Sequence, residues 1–252
     1  MAVASSKPAL TKQGVIMSNE LLWFIVLLVN FVFILSFYRI LGKLGLYLWM
    51  PIAVIFANIE VIKTVEIFGV TATLGNIIFA TSFLATDILS ENYSKKDAYR
   101  AVLVGFMVLI VMSVLMTFAI QFAPAESDFA HEHLKAIFSL MPRIALASVI
   151  AFLISQTHDV WAYHFWKKRF PAVKYIWIRN NASTIVSQLI DSTIFCLVAF
   201  VGIFSGRVLV EIIITTYLMK IMVSVCDTPC VYIAERWFRK GKIKEVSLIA
   251  SE

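Results

Sequence analysis

Seven apolar runs, separated by clusters of charge, divide the chain at residues 21–41, 46–65, 70–91, 98–122, 143–166, 181–204 and 208–235. Each is close to the ~20 residues a helix needs to cross a bilayer. Backbone groups in lipid find no water to bond, so runs this long and continuous predict helices rather than barrel strands. The division between the second and third runs is the weakest. Glu60, Lys63 and Glu66 leave only a short polar connection there, with Gly69 as its turn residue. Residues 123–142 hold Pro124, Pro142 and the cluster Glu126, Asp128, His131, Glu132, His133 and Lys135, which predicts a loop with at most a short surface helix. The expected organisation is a polar tail at 1–20, one transmembrane domain at 21–238 and a basic tail at 239–252.

Composition agrees with this pattern and removes other classes. Of the 252 residues 60% are hydrophobic, against about 45–50% in an average soluble domain. A soluble domain of this size lacks the interior to hide so much apolar surface. The +6 net charge therefore does not predict nucleic-acid binding. Cys196, Cys226 and Cys230 all lie in apolar stretches and form no CxxC, which predicts free thiols packed as small hydrophobes. Lys7 and Lys12 before the first run superficially suggest a signal peptide. That run is too long for one and passes into Arg39, Gly42 and Lys43 without a small-residue cleavage site, so a retained helix is expected.

The basic residues give an orientation. With seven spans, fifteen of the 22 lysines and arginines fall on one side, six on the other, and Lys220 falls inside a span. The positive-inside rule then places the N-terminus outside and the C-terminus in the cytoplasm.

A few polar groups cannot be assigned to loops: Asp87, Asp159, Asp191, Lys220 and Asp227. A charge at mid-bilayer costs about 2.5–3.5 kcal/mol on insertion scales, so each should face a cavity or a partner. The sharpest pattern is a repeat. Ser155-Gln156-x-x-Asp159 recurs as Ser187-Gln188-x-x-Asp191, 32 residues later on the next helix. Gln and Asp three apart share a helical face, with Ser four before Asp on the same side. From the nearest basic cluster, Asp159 is about 12 Å deep and Asp191 about 18 Å, which predicts that the motifs meet at similar heights. Two carboxamide–carboxylate pairs facing each other suit a polar ligand held between helices.

Polar side chains in membrane helices also serve as plain glue, through bonds averaging about 0.6 kcal/mol. Asn30 and Ser113 are read that way, and the matched repeat is not. His131-Glu132-His133 has alternate spacing in an acidic loop, which is no recognised metal geometry. Without a P-loop or a Gly-rich phosphate cradle, the chain is not expected to hydrolyse ATP itself, and no cofactor is implied.

At these motifs the sequence resembles a known family. Ala85-Thr86-Asp87-Ile88-Leu89-Ser90-Glu91-Asn92-Tyr93, followed by Lys95-Lys96-Asp97-Ala98, is similar to a stretch of the queuosine precursor transporter (VUT) family. So are both Ser-Gln-x-x-Asp segments, Arg179-Asn180-Asn181-Ala182-Ser183-Thr184 before the second, and Tyr217-x-x-Lys220 with Pro229 beyond it. The resemblance implies import of 7-deazaguanine precursors such as preQ0 and preQ1 across the bacterial inner membrane. It also implies a six-helix core, about 46–238, similar to the substrate-binding components of energy-coupling-factor transporters. The first helix is then an addition to an all-α polytopic fold of seven spans, and the chain is not an enzyme. Asp227 lies outside the family pattern.

The chemistry of such a ligand is compatible with the residues. A 7-deazaguanine offers N–H donors beside a carbonyl, a carboxylate accepts two N–H bonds together, and an amide both donates and accepts. Asp159 and Asp191 are expected to take the donor edge and Gln156 and Gln188 to orient it. Lys220 and Asp87 would serve charge balance or gating, and Asn58 would add a polar contact. Another nucleobase or a vitamin is the rival substrate, and an intramembrane aspartyl hydrolase the rival from another class. Proton coupling, facilitated diffusion, an external energy-coupling module and a homo-oligomer all remain open on sequence.

Overall fold

The computed structural model describes residues 18–139, 141–202 and 205–245. Helix α1 spans Asn19–Leu41, and the Ser18 hydroxyl caps it by accepting the Leu21 N–H at 3.3 Å. Gly42 closes it with φ +59°, a left-handed turn that favours glycine, and α2 starts at once over Lys43–Glu60. A β-hairpin follows, β1 at Thr64–Ile67 paired antiparallel with β2 at Val70–Thr73. Phe68 and Gly69, its turn residues, both have positive φ, as the tightest hairpin turns require. The sequence pattern had divided this hairpin between the ends of the second and third spans. Its strands are four residues each, too short for a period to show against the apolar background.

The remaining helices are α3 (Gly75–Asn92), α4 (Lys95–Ala119), the short α5 (His131–Phe138), α6 (Met141–Arg169), α7 (Ile176–Phe200) and α8 (Gly206–Arg239). Among the described residues six helices, α1, α2, α4, α6, α7 and α8, are apolar and long enough to cross a membrane. The seventh, α3, has 18 residues, about 27 Å of helix, and is the most enclosed. Every residue in it except Glu91 is buried. Gly75 lets its first turn approach α2, since a Cβ there would sit 2.4 Å from the Ala57 carbonyl oxygen. A helix shielded from lipid on all sides tolerates Asn, Ser, Thr and Asp that a lipid-facing helix does not.

The two ends of the bundle differ. At one end the Asn19 amide donates to the Glu66 carbonyl (2.9 Å) and Glu20 accepts the Phe68 N–H (3.1 Å), tying α1 to the hairpin. At the other, residues 240–245 fold back beneath the α1–α2 turn. Glu245 accepts the Lys43 N–H at 3.1 Å and the Tyr93 hydroxyl, Arg39 bonds the Lys242 carbonyl, and its guanidinium lies 5.4 Å from the Trp237 ring. Burial and the Glu245 carboxylate hold the Tyr93 hydroxyl well above its ordinary pKa. The described chain therefore starts at one end and finishes at the other, as seven crossings require. Residues 1–17 of the expected N-terminal tail and 246–252 of the basic tail lie outside the described residues.

Candidate functional site

Helices α6 and α7 pack antiparallel, and the repeated motif sets their register. Ser155 donates to Asp191 at 3.0 Å, and reciprocally Ser187 lies within hydrogen-bonding reach of Asp159. Each motif's serine thus meets the other's aspartate. The two motifs meet side by side, as their spacing predicts, with Asp159 deeper in the bundle than Asp191 because an antiparallel repeat pairs unlike ends.

Three levels of polar side chains follow along the bundle. Nearest the hairpin is a small cavity lined by Asn58, Gly75, Asn76, Phe79, Ser148, Asp191, Phe195 and Lys220. Lys220 is ion-paired with Asp191, and its ammonium lies 4.7 Å from the Phe79 ring centroid. The Asn58 amide nitrogen bonds back to the Val54 carbonyl (2.9 Å), leaving its oxygen buried without a partner.

One turn deeper are the two glutamines, both wholly buried. Gln156 is fully used: it donates to Ser82 at 2.9 Å and accepts from Thr86 at 3.2 Å, joining α6 to α3. Gln188 has no partner at either amide atom. A buried unpaired amide costs stability, so its persistence in the bundle centre marks it for a partner outside the chain.

Deeper again, Asp87 and Asp159 meet. The Thr184 hydroxyl is 3.4 Å from an Asp87 oxygen and 3.3 Å from an Asp159 oxygen, and the two carboxyl groups are within hydrogen-bonding reach of each other. Asp227 stands beside them on α8, accepting from Asn180 at 2.9 Å. Below this level Glu91 closes the end of the bundle. It accepts from Arg179 (2.8 Å) and Tyr163 (3.0 Å), with the Lys167 ammonium 3.6 Å away. Arg179 is wholly buried and also bonds the carbonyls of Phe170 and Pro171, so its place in a loop, implied by the sixth apolar run beginning at 181, is corrected. A multiply bonded guanidinium extends α7 inward by more than a turn.

The seven residues singled out from sequence therefore divide by depth. Asn58, Asp191 and Lys220 line the cavity, Gln156 and Gln188 lie beneath it, and Asp87 and Asp159 form the lowest pair. Thr184, Asn180, Asn76, Ser82 and Thr86 were not foreseen as members. Their signal was present as a polar stripe recurring every three or four residues, clearest on α7 at Asn180, Thr184, Ser187 or Gln188, and Asp191. The histidines of α5 stand apart from all of these levels, at the bundle's surface.

A bundle of membrane helices around a buried polar column with a cavity at one end defines a multi-pass membrane transporter. The chain belongs to the vitamin uptake transporter (VUT) family, described as "putative vitamin uptake transporter", which matches residues 73–234. It is 43% identical over 220 residues to a "Probable queuosine precursor transporter" of Bacillus subtilis (strain 168), covering 87% of this chain and 96% of that protein. A protein of the same name from Haemophilus influenzae (strain ATCC 51907 / DSM 11121 / KW20 / Rd) is 26% identical over 134 residues, 53% of this chain and 54% of that one. No solved structure matches the chain significantly.

Proposed function

We propose that this protein imports 7-deazaguanine precursors of queuosine across the bacterial inner membrane, with its N-terminus outside and its C-terminus in the cytoplasm. The observation that carries the reading is Gln188: a wholly buried carboxamide with both atoms unpartnered, one turn below Asp191 and the cavity. A planar heterocycle with adjacent N–H and carbonyl groups complements such an amide, and Asp191 accepts at its donor edge. Phe79 and Phe195 offer flat rings at the cavity wall. The name of the Bacillus relative, which shares nearly its whole length with this chain, supports the same ligand class. Import changes no bond of the substrate, so the role requires no catalysis.

The test is uptake of radiolabelled preQ1 by cells lacking other routes. Uptake restored by the wild-type chain and lost in Asp191→Asn and Gln188→Ala is the expected result; undiminished uptake in both variants would overturn the site. The family's description favours a second reading, a vitamin substrate. A competition panel separates the two: deazapurines should block uptake at concentrations where vitamins leave it unchanged.

A further inference from the structure

The lowest polar level is short of hydrogens. Asp87, Asp159 and Asp227 are at most 2% exposed, and together they present six carboxyl oxygens. The Thr184 hydroxyl has one proton but stands 3.3–3.4 Å from two carboxyl groups, so it serves only one of them. The Asn180 amide spends its donors on Asp227 (2.9 Å) and Thr228 (3.2 Å). Ser183 donates to the Asn180 carbonyl, and Ser187 has the Ser183 carbonyl as an alternative acceptor at 2.9 Å. Unpartnered acceptors remain: one oxygen of Asp87, one of Asp159, and the Asn180 side-chain oxygen, held against the cluster by its own amide nitrogen.

The surrounding charges do not make up the deficit. Lys220, one level up on α8, is committed to Asp191. Arg179 on α7 and Lys167 on α6 are committed to Glu91 on α3, and the Tyr163 hydroxyl also points to Glu91. Asp227, the facing group from α8, adds negative charge. His158 on α6 bonds Ser187 at 2.9 Å rather than either carboxyl group of the pair. Among the described residues no three side chains of metal-ligating type converge closely enough to hold a metal ion. Two carboxylates in contact inside a low-dielectric bundle cannot both be ionised without a cation between them. The smallest such cation needs no coordination shell.

We infer that Asp87 and Asp159 hold one exchangeable proton between them and that this proton moves inward with each substrate molecule. The inference rests on the transport reading above and adds its energy source. The protonated pair supplies the missing donor: one carboxyl donates to the other while Thr184 donates to the acceptor. The pair is also mechanically joined to the substrate level. Thr86, next to Asp87, bonds Gln156, and Thr184 is one turn from Gln188 on the same face. Substrate engaging Gln188 therefore acts on α7, whose Thr184 touches both members of the proton pair. Accessibility then alternates with substrate and proton loaded together; opening inward admits water, which separates and hydrates the two carboxylates so that the proton can leave, and the pair takes its next proton from the outer side.

The test uses the full chain purified and reconstituted in liposomes. Infrared spectra should show the carbonyl stretch of a protonated carboxylic acid. Asp87→Asn and Asp159→Asn should each remove the same one-carboxyl share of it, and the double variant no more than either. An asparagine amide donates where the shared proton did, which leaves the surviving carboxylate ionised. Asp227→Asn should leave that share in place. On the wild-type chain, a pH-sensitive dye inside the liposomes should report acidification on addition of preQ1. A gradient with acid outside should raise preQ1 accumulation at least tenfold over a protonophore-treated control. Absence of the protonated-acid band, or preQ1 accumulation indifferent to both gradient and protonophore, would overturn the inference. If the infrared behaviour holds while no preQ1 moves under any gradient, the proton pair stands and the substrate reading falls.

Discussion

Lys220 and Asp191 are 3% and 2% exposed, so each is the other's main compensation for leaving water. Breaking such a pair from one side strands a buried charge, which costs about 3–5 kcal/mol, whereas removing both charges is often nearly neutral. Lys220→Met should therefore lower stability by about that amount, and Asp191→Asn combined with Lys220→Met should regain most of it. Thermal unfolding in detergent checks the stability, and both variants should fail in uptake. The glutamines make a sharper contrast. Gln156 bonds Ser82 and Thr86, so Gln156→Leu should destabilise by about 1–3 kcal/mol through the groups it abandons. Gln188 has no bond within the chain to lose. Gln188→Leu should unfold no earlier than the wild type while losing at least tenfold in uptake; equal destabilisation by the two changes would make Gln188 a structural residue. The repeat that carries these residues was readable from spacing alone. The partner of each was not: spacing places Gln156 and Gln188 in equivalent positions, and only the neighbours on α3 make one satisfied and the other free.

Helix α3 shows how burial changes what an element looks like in sequence. It carries Asn76, Thr81, Ser82, Thr86, Asp87, Ser90 and Asn92 within 18 residues, yet it is the innermost helix. The apolar runs revealed the helices that touch lipid best. They revealed α3 less well, since its hydrophobic requirement is met by the helices around it rather than by lipid. The hairpin escaped for a different reason: four-residue strands between two apolar runs leave no room for a period. The start of α7 is hidden in the sequence because Arg179 reads as a loop cation, whereas its charge is matched by Glu91 across the bundle. That match fastens the ends of α3 and α7 that lie away from the hairpin, Glu91 being the one residue of α3 not fully buried. Glu91→Gln would leave the wholly buried Arg179 with carbonyls but no counter-charge, and should cost about 3–5 kcal/mol in thermal unfolding. The loss should be read as stability first, since Glu91 lies below the proposed proton pair and away from the cavity.

At the scale of the whole molecule the basic residues decide orientation. Their separation, fifteen against six with Lys220 apart, depends on every span being present, because removing one middle crossing would exchange the sides of all that follow. The described fold keeps that parity: α1 begins beside the hairpin, and the segment after α8 packs beneath the α1–α2 turn at the opposite end. Arg179 is now better counted as part of the buried ion pair than as a loop charge, and the asymmetry survives its removal. The cavity with Asp191 and Lys220 lies toward the hairpin end, which the proposed orientation makes the outer face, from which an importer must accept its substrate. Ser127, exposed between α4 and α5, and Lys168, exposed at the end of α6 away from the hairpin, report the two faces. Ser127→Cys should react with a membrane-impermeant maleimide in intact cells, and Lys168→Cys only after permeabilisation. The natural cysteines should not interfere, since Cys196 and Cys230 are buried and Cys226, though exposed from the protein, lies within membrane-spanning α8. Labelling of Lys168→Cys in intact cells would invert the topology and turn the cavity toward the cytoplasm, and with it the direction of transport that the charges imply.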